Sequence, residues 1–429
     1  MTFWTPDNLR SVTAGTWLTR PPRLEVPADR PADLPPPPAH APITGLSTDT
    51  RDIKPGQAFL ALRGENHDAH RFLQQAVNAG STLLIIDDEN ALPAGGLNPA
   101  GAAGVLKVAD TGKALLKIAA AYRETLKGTR VIAVCGSNGK TTTTRLIEQV
   151  LSTTFRGTAS KKSFNNAVGV PLTILRAQPS DHYLLCEVGT NAPGEIAALA
   201  AVVQPDIAVI TSIAREHLEG LGDLAGVAAE EASVMKFLRA KGCAIINADS
   251  PELDAAMRKY KPARLVRFGI GSKDLPADIR LGSAGVATLD EPAFVGTGFA
   301  INDRFKVRLP LLGEHNAMNA LAAYAVGRRM GIEEGRIIEA LSGAAGAEMR
   351  LELSRIAIPD GGEARILNDS YNANPDSMLA ALGVLAALSP APGGRRVALL
   401  GDMFELGATS PELHAQVINR LSTMGDGIG

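Results

Sequence analysis

The length, composition and charge of the 429-residue chain exclude several classes of protein. Its hydrophobic fraction is 45% and its charged fraction 21%, which is typical of a globular protein with about three domains. No apolar run approaches the roughly 20 residues of a membrane span, and residues 1–18 lack the features of a secretory signal. The formal net charge of -2 provides no basic footprint for nucleic acid. We therefore expect a cytoplasmic protein that binds small molecules. We also expect a monomer, although the composition does not specify the oligomeric state.

The first part of the chain has the pattern of a small α/β domain. A proline-dense segment at residues 20–42 excludes a helix or central strand and indicates an exposed loop, most simply a tolerated insertion. Short apolar runs then alternate with turn signals, and residues 83–86 have the composition of a buried strand. A predicted helix over residues 113–126 completes this domain, which we place at residues 1–126.

The rest of the chain alternates buried strands with helices. Predicted strands lie at residues 130–134, 183–187, 207–210 and 243–247. This alternation indicates a mostly parallel sheet that is covered on both faces. A predicted helix over residues 313–330, followed by strands at 364–367 and 396–400, opens a third α/β region. The predicted domains are therefore 127–312 and 313–429.

The strongest chemical signal is a glycine-rich loop between a predicted strand and a predicted helix. The loop consists of Gly136, Ser137, Asn138, Gly139, Lys140, Thr141 and Thr142. In such loops backbone N–H groups surround phosphate, the lysine reaches terminal phosphates, and a threonine hydroxyl can bind Mg²⁺. The common motif has a further glycine where this chain has Val134, so we predict a P-loop subtype and disfavour a generic kinase or GTPase. The alternative is a plain glycine-rich turn.

This P-loop and a series of further sequence blocks resemble the Mur ligase family. The blocks are TDTR (48–51), GQAFLAL (56–62), HDAHRF (67–72), FNNAVGVPLT (164–173), EVG (187–189), EHLEG (216–220), GEHNAMNA (313–320), NDSYNANP (368–375) and LGDMFELG (400–407). They follow one another in order from residue 45 almost to the last residue. Such collinearity is more specific than any single motif.

The resemblance implies a fold and a reaction. The fold is a three-domain α/β architecture with a central P-loop domain on a parallel sheet and a Rossmann-like C-terminal domain. In the reaction, which uses ATP and Mg²⁺ and belongs to peptidoglycan synthesis, a carboxylate becomes an acyl phosphate and an amine then forms an amide. Residues 371–375 favour addition of D-alanyl-D-alanine to UDP-N-acetylmuramoyl-tripeptide over addition of the third residue. Family members continue well beyond the 400–407 block, so we expect an incomplete third domain.

The resemblance also implies roles for individual residues. The expected catalytic residues are Lys140, His217 and Arg350. The expected metal ligands are Thr141, Glu187, His217 and Glu231. Besides the P-loop, the expected nucleotide-binding residues are Asn316, Asn319, Arg350 and Asp369. The expected UDP-sugar contacts are Thr48, Asp49, Arg51 and Arg63, and the expected dipeptide contacts are Asn165, Asn166, Tyr371, Asn372 and Asn374.

Glu231 marks a departure from the family pattern. Many members carry a lysine fourteen residues after the histidine that matches His217, and its carbamylated side chain binds a metal ion; this sequence has Glu231 there. We expect Glu231 to supply a carboxylate directly, since Mg²⁺ accepts any well-placed oxygen. The alternative is that Glu230 and Glu231 form an exposed acidic pair and that the ligand has been lost.

Several of these assignments have a second interpretation at the level of sequence. His217 could be a structural histidine, and Asn316 and Asn319 could cap a helix. Arg350 and Asp369 could be solvated surface charges. The whole chain could be a different amide ligase of the superfamily, such as the enzyme that adds the third residue or a folylpolyglutamate synthase. It could also be a nucleotide-binding scaffold that has lost turnover.

Overall fold

The computed structural model describes residues 3–21, 40, 42–64, 66–97, 103–161, 164–291, 294–357, 362–390 and 393–423. Most of the proline-dense loop predicted at residues 20–42 lies outside these ranges. Within them, no helix has both the length and the apolar character that crossing a membrane requires.

The described elements alternate strands and helices along most of the chain. The strands are β1 (Thr16–Thr19), β2 (Leu46–Ser47), β3 (Ala58–Leu60), β4 (Leu83–Ile86), β5 (Gly104–Lys107), β6 (Arg130–Cys135), β7 (Gly157–Ala159), β8 (Tyr183–Glu187), β9 (Ile207–Ile210), β10 (Cys243–Asn247), β11 (Arg264–Gly269), β12 (Ile279–Arg280), β13 (Ala287–Glu291), β14 (Phe294–Ile301), β15 (Phe305–Leu309), β16 (Glu352–Ala357) and β17 (Glu363–Asn368). The helices are α1 (Pro6–Thr13), α2 (Leu73–Asn78), α3 (Thr111–Arg123), α4 (Lys140–Ser152), α5 (Gly169–Arg176), α6 (Glu195–Val203), α7 (Leu218–Leu221), α8 (Leu224–Glu231), α9 (Pro251–Met257), α10 (Glu314–Arg329), α11 (Glu334–Ser342), α12 (Pro375–Ala387) and α13 (Ser410–Thr423).

The chain forms two compact units. The first contains Met1–Lys127 together with Ala167–Pro179, and the second contains Gly128–Asn166 and Ser180–Gly429. The first unit therefore ends beside the boundary predicted at residue 126, but it also includes α5, which the sequence analysis placed in the central domain. The further division at residue 312 stays a prediction.

The first unit is built on a five-stranded sheet in the order β1-β5-β4-β3-β2. The four strands β2 to β5 are parallel, and β1 pairs antiparallel with β5. The predicted strand at residues 83–86 is confirmed as β4, and all four of its side chains are buried. Asp110 is the N-cap that precedes helix α3, and its side chain accepts a hydrogen bond from the Lys113 N–H.

The second unit is built on a seven-stranded parallel sheet in the order β12-β11-β10-β9-β6-β8-β7. The strands predicted at residues 130–134, 183–187, 207–210 and 243–247 are confirmed as β6, β8, β9 and β10. Their β-branched and aliphatic side chains are buried because helices cover the sheet. Helices α4 and α10 pack together, and Leu146, Val150 and Leu321 join sheet residues in one continuous core.

The C-terminal part of the second unit has a sparser structure. Strands β16 and β17 pair antiparallel in a two-stranded sheet, while α12 and α13 pack against each other.

The prediction of a strand at residues 396–400 is wrong, because only Arg396 takes part in an isolated bridge and residues 397–400 are irregular. Leu399 is 95% exposed. An apolar sequence becomes a strand only when a neighbouring strand satisfies its backbone, and this segment has none among the described residues.

Candidate active site

The P-loop lies between the end of β6 and the start of α4. Gly136 and Gly139 have φ angles of 118° and 85°, a region that favours glycine. A side chain at Gly136 would collide with Thr211, and one at Gly139 would collide with Asn319. Both glycines are therefore required by the backbone and by the neighbouring elements.

The Lys140 ammonium group is folded back over the loop that precedes it. Its Nζ donates hydrogen bonds to the carbonyl oxygens of Gly136 and Ser137, at 2.6 and 2.8 Å. Nζ also lies 3.8 Å from Oε1 of Glu216. Burial lowers the Lys140 pKa, but the carboxylates of Glu216, Glu231 and Glu187 outweigh this effect and raise it. Lys140 is thus held as a cation at the mouth of the loop.

Thr141 and Glu187 come together beside the P-loop, as predicted for a metal site. The Thr141 hydroxyl donates to Oε1 of Glu187 at 3.1 Å, and the Asn165 amide donates to the same oxygen at 3.0 Å. Oε2 of Glu187 is buried and has no hydrogen-bond partner among the described residues. Burial raises the Glu187 pKa, although Lys140 opposes this effect. A hydroxyl beside an unsatisfied carboxylate oxygen is a donor set that suits Mg²⁺.

Glu231 is buried beneath the P-loop, so the alternative of an exposed acidic pair is wrong. Oε2 of Glu231 accepts the Gly136 N–H at 2.8 Å, and Oε1 has no partner among the described residues. Burial raises its pKa to about 7. Glu230 is also buried, and its carboxylate accepts N–H groups of Gly194 and Ile196 at the start of α6. Whether Glu231 binds a metal stays a prediction.

His217 adopts a left-handed backbone conformation, with φ of 51°, immediately before α7. Its Nδ1 is hydrogen-bonded to Oε2 of Glu405 from the C-terminal part of the unit. Its Nε2 lies 4.0 Å from Oε2 of Glu216. In the part of the chain that the structure describes, no group of three or more His, Cys, Asp or Glu side chains has the spacing of a metal site. The metal role of His217 therefore also stays a prediction.

The two predicted nucleotide-binding asparagines belong to a buried chain of hydrogen bonds. The Thr143 hydroxyl donates to Oδ1 of Asn319 at 3.1 Å, the Asn319 amide donates to Oδ1 of Asn316 at 3.0 Å, and the Asn316 amide donates to the Leu312 carbonyl at 2.8 Å. These bonds fix the orientation of both amides and link α10 to α4. Each of the two amide groups has a second N–H that these hydrogen bonds do not use and that can donate to a ligand.

A cavity of about 560 Å³ lies directly above these residues. The predicted nucleotide-binding residues that line it are Asn138, Gly139, Thr142, Asn316, Asn319, Arg350 and Asp369. Its size falls within the range of small-molecule sites. His315 also lines the cavity, and burial lowers its pKa to about 4. A neutral imidazole therefore borders the cavity at ordinary pH.

Arg350 approaches the P-loop from the C-terminal part of the same unit. Its guanidinium donates to the Thr141 hydroxyl at 3.2 Å and stacks on the ring of Tyr371. Asp369 accepts the Leu351 N–H at 3.1 Å, and burial raises its pKa to about 6. The alternative of two solvated surface charges is wrong, because both side chains are engaged at the site.

The residues predicted to contact the dipeptide differ in their exposure and in their hydrogen bonds. Asn165 lies beside Glu187, and Asn166 follows it in the same loop. Asn372 is exposed. Asn374 caps α12 through a hydrogen bond from the Ser377 N–H at 2.8 Å, and its amide group pairs reciprocally with that of Asn138. This loop is therefore fixed to the P-loop, while a contact with dipeptide stays a prediction.

The predicted UDP-sugar residues lie in the first unit, in loops that follow parallel strands. Thr48 and Asp49 follow β2, and Arg63 follows β3, at the edge where open parallel sheets commonly bind ligands. Arg51 is paired with Asp49 at 2.6 Å, and its guanidinium lowers the Asp49 pKa. Arg63 lies 3.4, 3.8 and 3.3 Å from carboxylates of Asp68, Asp87 and Asp88 respectively. An anionic ligand would therefore compete with aspartates for both arginines.

Several residues at the site were not predicted from the sequence. The Arg215 backbone N–H and side chain bind Asp376 at 2.9 and 2.8 Å, which joins the loop after β9 to α12. Thr143 and Glu405 likewise contact predicted site residues. Glu405 lies inside the recognised 400–407 block and Thr143 lies in a run of threonines, so both had a sequence signal. The Arg215–Asp376 contact joins positions 161 apart in the sequence and had none.

Family models match three successive parts of the chain. The Mur ligase family, catalytic domain matches residues 42–123, the Mur ligase middle domain matches residues 134–327, and the Mur ligase, glutamate ligase domain matches residues 349–426. These matches cover well over half of the chain. The chain belongs to the Mur ligase family. The predicted α/β Mur ligase fold is therefore confirmed.

Two curated relatives of this Mur ligase carry the same name. The UDP-N-acetylmuramoyl-tripeptide--D-alanyl-D-alanine ligase of Bacillus subtilis (strain 168) is 38% identical over 378 residues, which cover 87% of this chain and 76% of the relative. The ligase of the same name from Escherichia coli (strain K12) is 35% identical over 381 residues, which cover 87% of this chain and 78% of the relative.

Solved structures of MurF have the same fold as this Mur ligase. A MurF crystal structure from Acinetobacter baumannii has a TM-score of 0.79 and 28% identity, and the match covers 99% of this chain and 89% of that chain. MurF from Thermotoga maritima, solved in complex with ADP, has a TM-score of 0.74 and 24% identity over 90% of this chain and 83% of that chain. The similarity to the Thermotoga maritima structure, at 24% identity, shows only that the two proteins have the same fold.

Proposed function

We propose that this Mur ligase joins D-alanyl-D-alanine to UDP-N-acetylmuramoyl-tripeptide in an ATP-dependent reaction of cytoplasmic peptidoglycan synthesis. The curated relatives carry this activity in their name at 35% and 38% identity. The observation that supports the chemistry is the convergence of Lys140, Thr141, Glu187 and Arg350 beside a P-loop. The expected product is an amide, formed together with ADP and phosphate.

The phosphates of ATP are expected to bind at the P-loop. The loop leads directly into the N-terminus of α4, where no side chain caps the helix, and the positive potential of a helix N-terminus favours an anion there. The Lys140 ammonium is folded over the loop and can move to the transferring phosphoryl group, while Arg350 is already beside Thr141. Two cations are suited to a transition state in which negative charge spreads over the phosphoryl oxygens. The cavity lined by Asn316 and Asn319 would take the nucleoside.

Thr141 and Glu187 would hold Mg²⁺ at this site, because they bring a hydroxyl close to a carboxylate whose Oε2 has no hydrogen-bond partner in the described part of the chain. The ion would offset negative charge on the phosphates of ATP. His217 and Glu231 remain the further predicted ligands. The adjacent Asn165 amide keeps the Glu187 carboxylate oriented toward Thr141.

The bond changes follow from the overall reaction. An oxygen of the tripeptide carboxylate attacks the terminal phosphorus of ATP, and the bond between that phosphorus and the bridging oxygen of ADP breaks. The dipeptide amine then attacks the acyl carbon and displaces phosphate. One carboxylate oxygen leaves with the phosphate, and the amine nitrogen loses a proton as the amide forms. Asn165, Asn166 and Asn372 are proposed to lie at the dipeptide, and Thr48, Asp49, Arg51 and Arg63 at the UDP-sugar.

The first test is phosphate release from Mg-ATP by the purified chain. Release that requires both UDP-N-acetylmuramoyl-tripeptide and D-alanyl-D-alanine is the expected result. Replacing the tripeptide by the corresponding dipeptide substrate, with a single amino acid as acceptor, checks for the activity that adds the third residue. Phosphate release with that pair alone would overturn the proposed substrate. ATP binding without release under any condition would indicate a scaffold and overturn the ligase assignment.

A further inference from the structure

Arg350 is held in an unusual backbone segment. The residues on either side of it, Met349 and Leu351, have φ angles of 54° and 51°. Side-chain-bearing residues seldom adopt this left-handed region, because the Cβ atom crowds the backbone. Two such residues flanking one arginine indicate that the segment is fixed by its surroundings.

The surrounding loop supplies the contacts that fix this segment. The Leu351 N–H donates to Oδ1 of Asp369 at 3.1 Å, and the Tyr371 N–H donates to the Met349 carbonyl at 3.2 Å. The Met349 N–H donates to Oε2 of Glu352 at 2.9 Å. The backbone on both sides of Arg350 is therefore tied to the loop that follows β17.

The side chain of Arg350 has a separate support. Its guanidinium carbon lies 4.3 Å from the centre of the Tyr371 ring, a distance typical of a cation–π contact. On the other side, the same guanidinium donates to Thr141 at 3.2 Å. The ring thus backs the cation at the point where it reaches the P-loop threonine.

We propose that Tyr371 is a positioning residue whose ring holds the Arg350 guanidinium against the P-loop, and that it acts on the reaction through Arg350. This inference rests on the proposed function only for the identity of the phosphoryl donor. An arginine side chain loses considerable conformational freedom when it is fixed, and a stacked ring lowers the population of misdirected rotamers before ATP binds. Tyr371 is 44% exposed, so its side chain can be replaced by a smaller one without leaving a cavity in the hydrophobic core.

The test compares Tyr371→Leu, Tyr371→Phe and Arg350→Gln, with Phe237→Leu as the matched control. Phe237 is an aromatic residue of similar exposure, at 38%, and lies outside the site. The first measurement is the affinity for ATP without the other substrates, which does not require turnover. Thermal unfolding of each variant confirms that it is folded.

Tyr371→Leu is expected to weaken ATP binding about 3- to 10-fold, whereas Tyr371→Phe, which keeps the ring, recovers most of the affinity. In the Arg350→Gln background, the leucine variant should produce no further loss. An equal loss in both backgrounds, or unchanged affinity in Tyr371→Leu, would overturn the inference. Phe237→Leu should bind ATP as the unmodified chain does.

Steady-state kinetics separate this role from the dipeptide contact that the resemblance implies. Positioning through Arg350 lowers kcat and leaves the KM for D-alanyl-D-alanine within about 2-fold. A raised KM for the dipeptide with unchanged ATP affinity would show a direct contact and contradict the inference. If the unmodified chain binds ATP but forms no amide, the proposed function fails, while the ATP titrations still decide the role of Tyr371.

Discussion

The P-loop core and the C-terminal region, residues 349–423, are held together in different ways. The core consists of β6, α4 and α10, whose apolar side chains are buried around Leu146 and Leu321. The C-terminal region has a two-stranded sheet and exposes Leu399 and Phe404. It reaches the P-loop and the cavity beside it through polar contacts of Arg350, Asn374 and Asp376. Leu351 and Val384 also pack against Leu312, which lies just before α10. The P-loop is therefore preorganised by packing in the core, whereas the C-terminal side chains that reach it are oriented by hydrogen bonds and ion pairs.

The largest expected effect comes from removing the cation of the core. Lys140→Ala should lower ATP turnover about 1000-fold, because the developing phosphoryl charge loses its nearest ammonium group. Lys113→Ala, which changes an exposed lysine on α3, is the matched control. Circular dichroism should show an unchanged fold, and a Lys140→Ala variant with full turnover would remove the P-loop assignment.

Apolar substitutions should separate the two regions by stability. Leu146→Ala is expected to lower the free energy of unfolding by about 3 kcal/mol, since it opens a cavity in the buried core between α4 and the sheet. Leu399→Ala should change it by less than about 0.5 kcal/mol, because that side chain is almost fully exposed. Denaturant titration of both variants measures the difference. Equal losses would show that the C-terminal region is packed as tightly as the core.

His315, at the start of α10, should make folding stability depend on pH. Its folded pKa of about 4 lies below the ordinary value of 6.5, so the unfolded chain binds the proton more readily. Stability is thus lost as the pH falls from about 6.5 toward 4, by about 2 kcal/mol at pH 5. His315→Gln should remove this part of the decline between pH 7.5 and pH 5. An identical decline in the variant would mean that another group is responsible.

The smallest of these effects concerns a polar contact between the regions. Asp376→Ala removes the acceptor of the Arg215 guanidinium and backbone N–H, and should raise the KM for ATP about 10-fold. Glu412→Ala changes another acidic residue in the first turn of a C-terminal helix, α13, and is the matched control. Equal KM values for the two variants would show that this contact does not complete the nucleotide site.

The sequence predicted the core better than the C-terminal region for a physical reason. The strands from β6 to β10 are short apolar runs between turn signals, and burial in a parallel sheet imposes that local pattern. Residues 396–400 have the same composition, but strand formation depends on a partner that the local sequence does not specify. The prediction therefore failed where pairing, and not composition, decides the structure.

The candidate site shows the same limit. The P-loop, Glu187 and His217 were predicted because each lies in a recognisable motif at the end of a strand or after it, and the family resemblance gives each motif a role. The orientation of Glu231 under Gly136 was not predictable, since it depends on how α8 packs beneath the loop. The contact between Arg215 and Asp376 likewise exists only because the chain folds distant segments together. Sequence motifs thus identify residue types at the site, and the tertiary structure decides which atoms meet.

The most direct test of the proposed ligase reaction follows the oxygen atoms of the carboxylate through one turnover. UDP-N-acetylmuramoyl-tripeptide labelled with ¹⁸O in its terminal carboxylate is incubated with Mg-ATP and D-alanyl-D-alanine. The masses of the products are then measured by mass spectrometry. We expect an amide product together with phosphate that carries one ¹⁸O atom per molecule. Unlabelled phosphate released without amide product would contradict the proposed reaction.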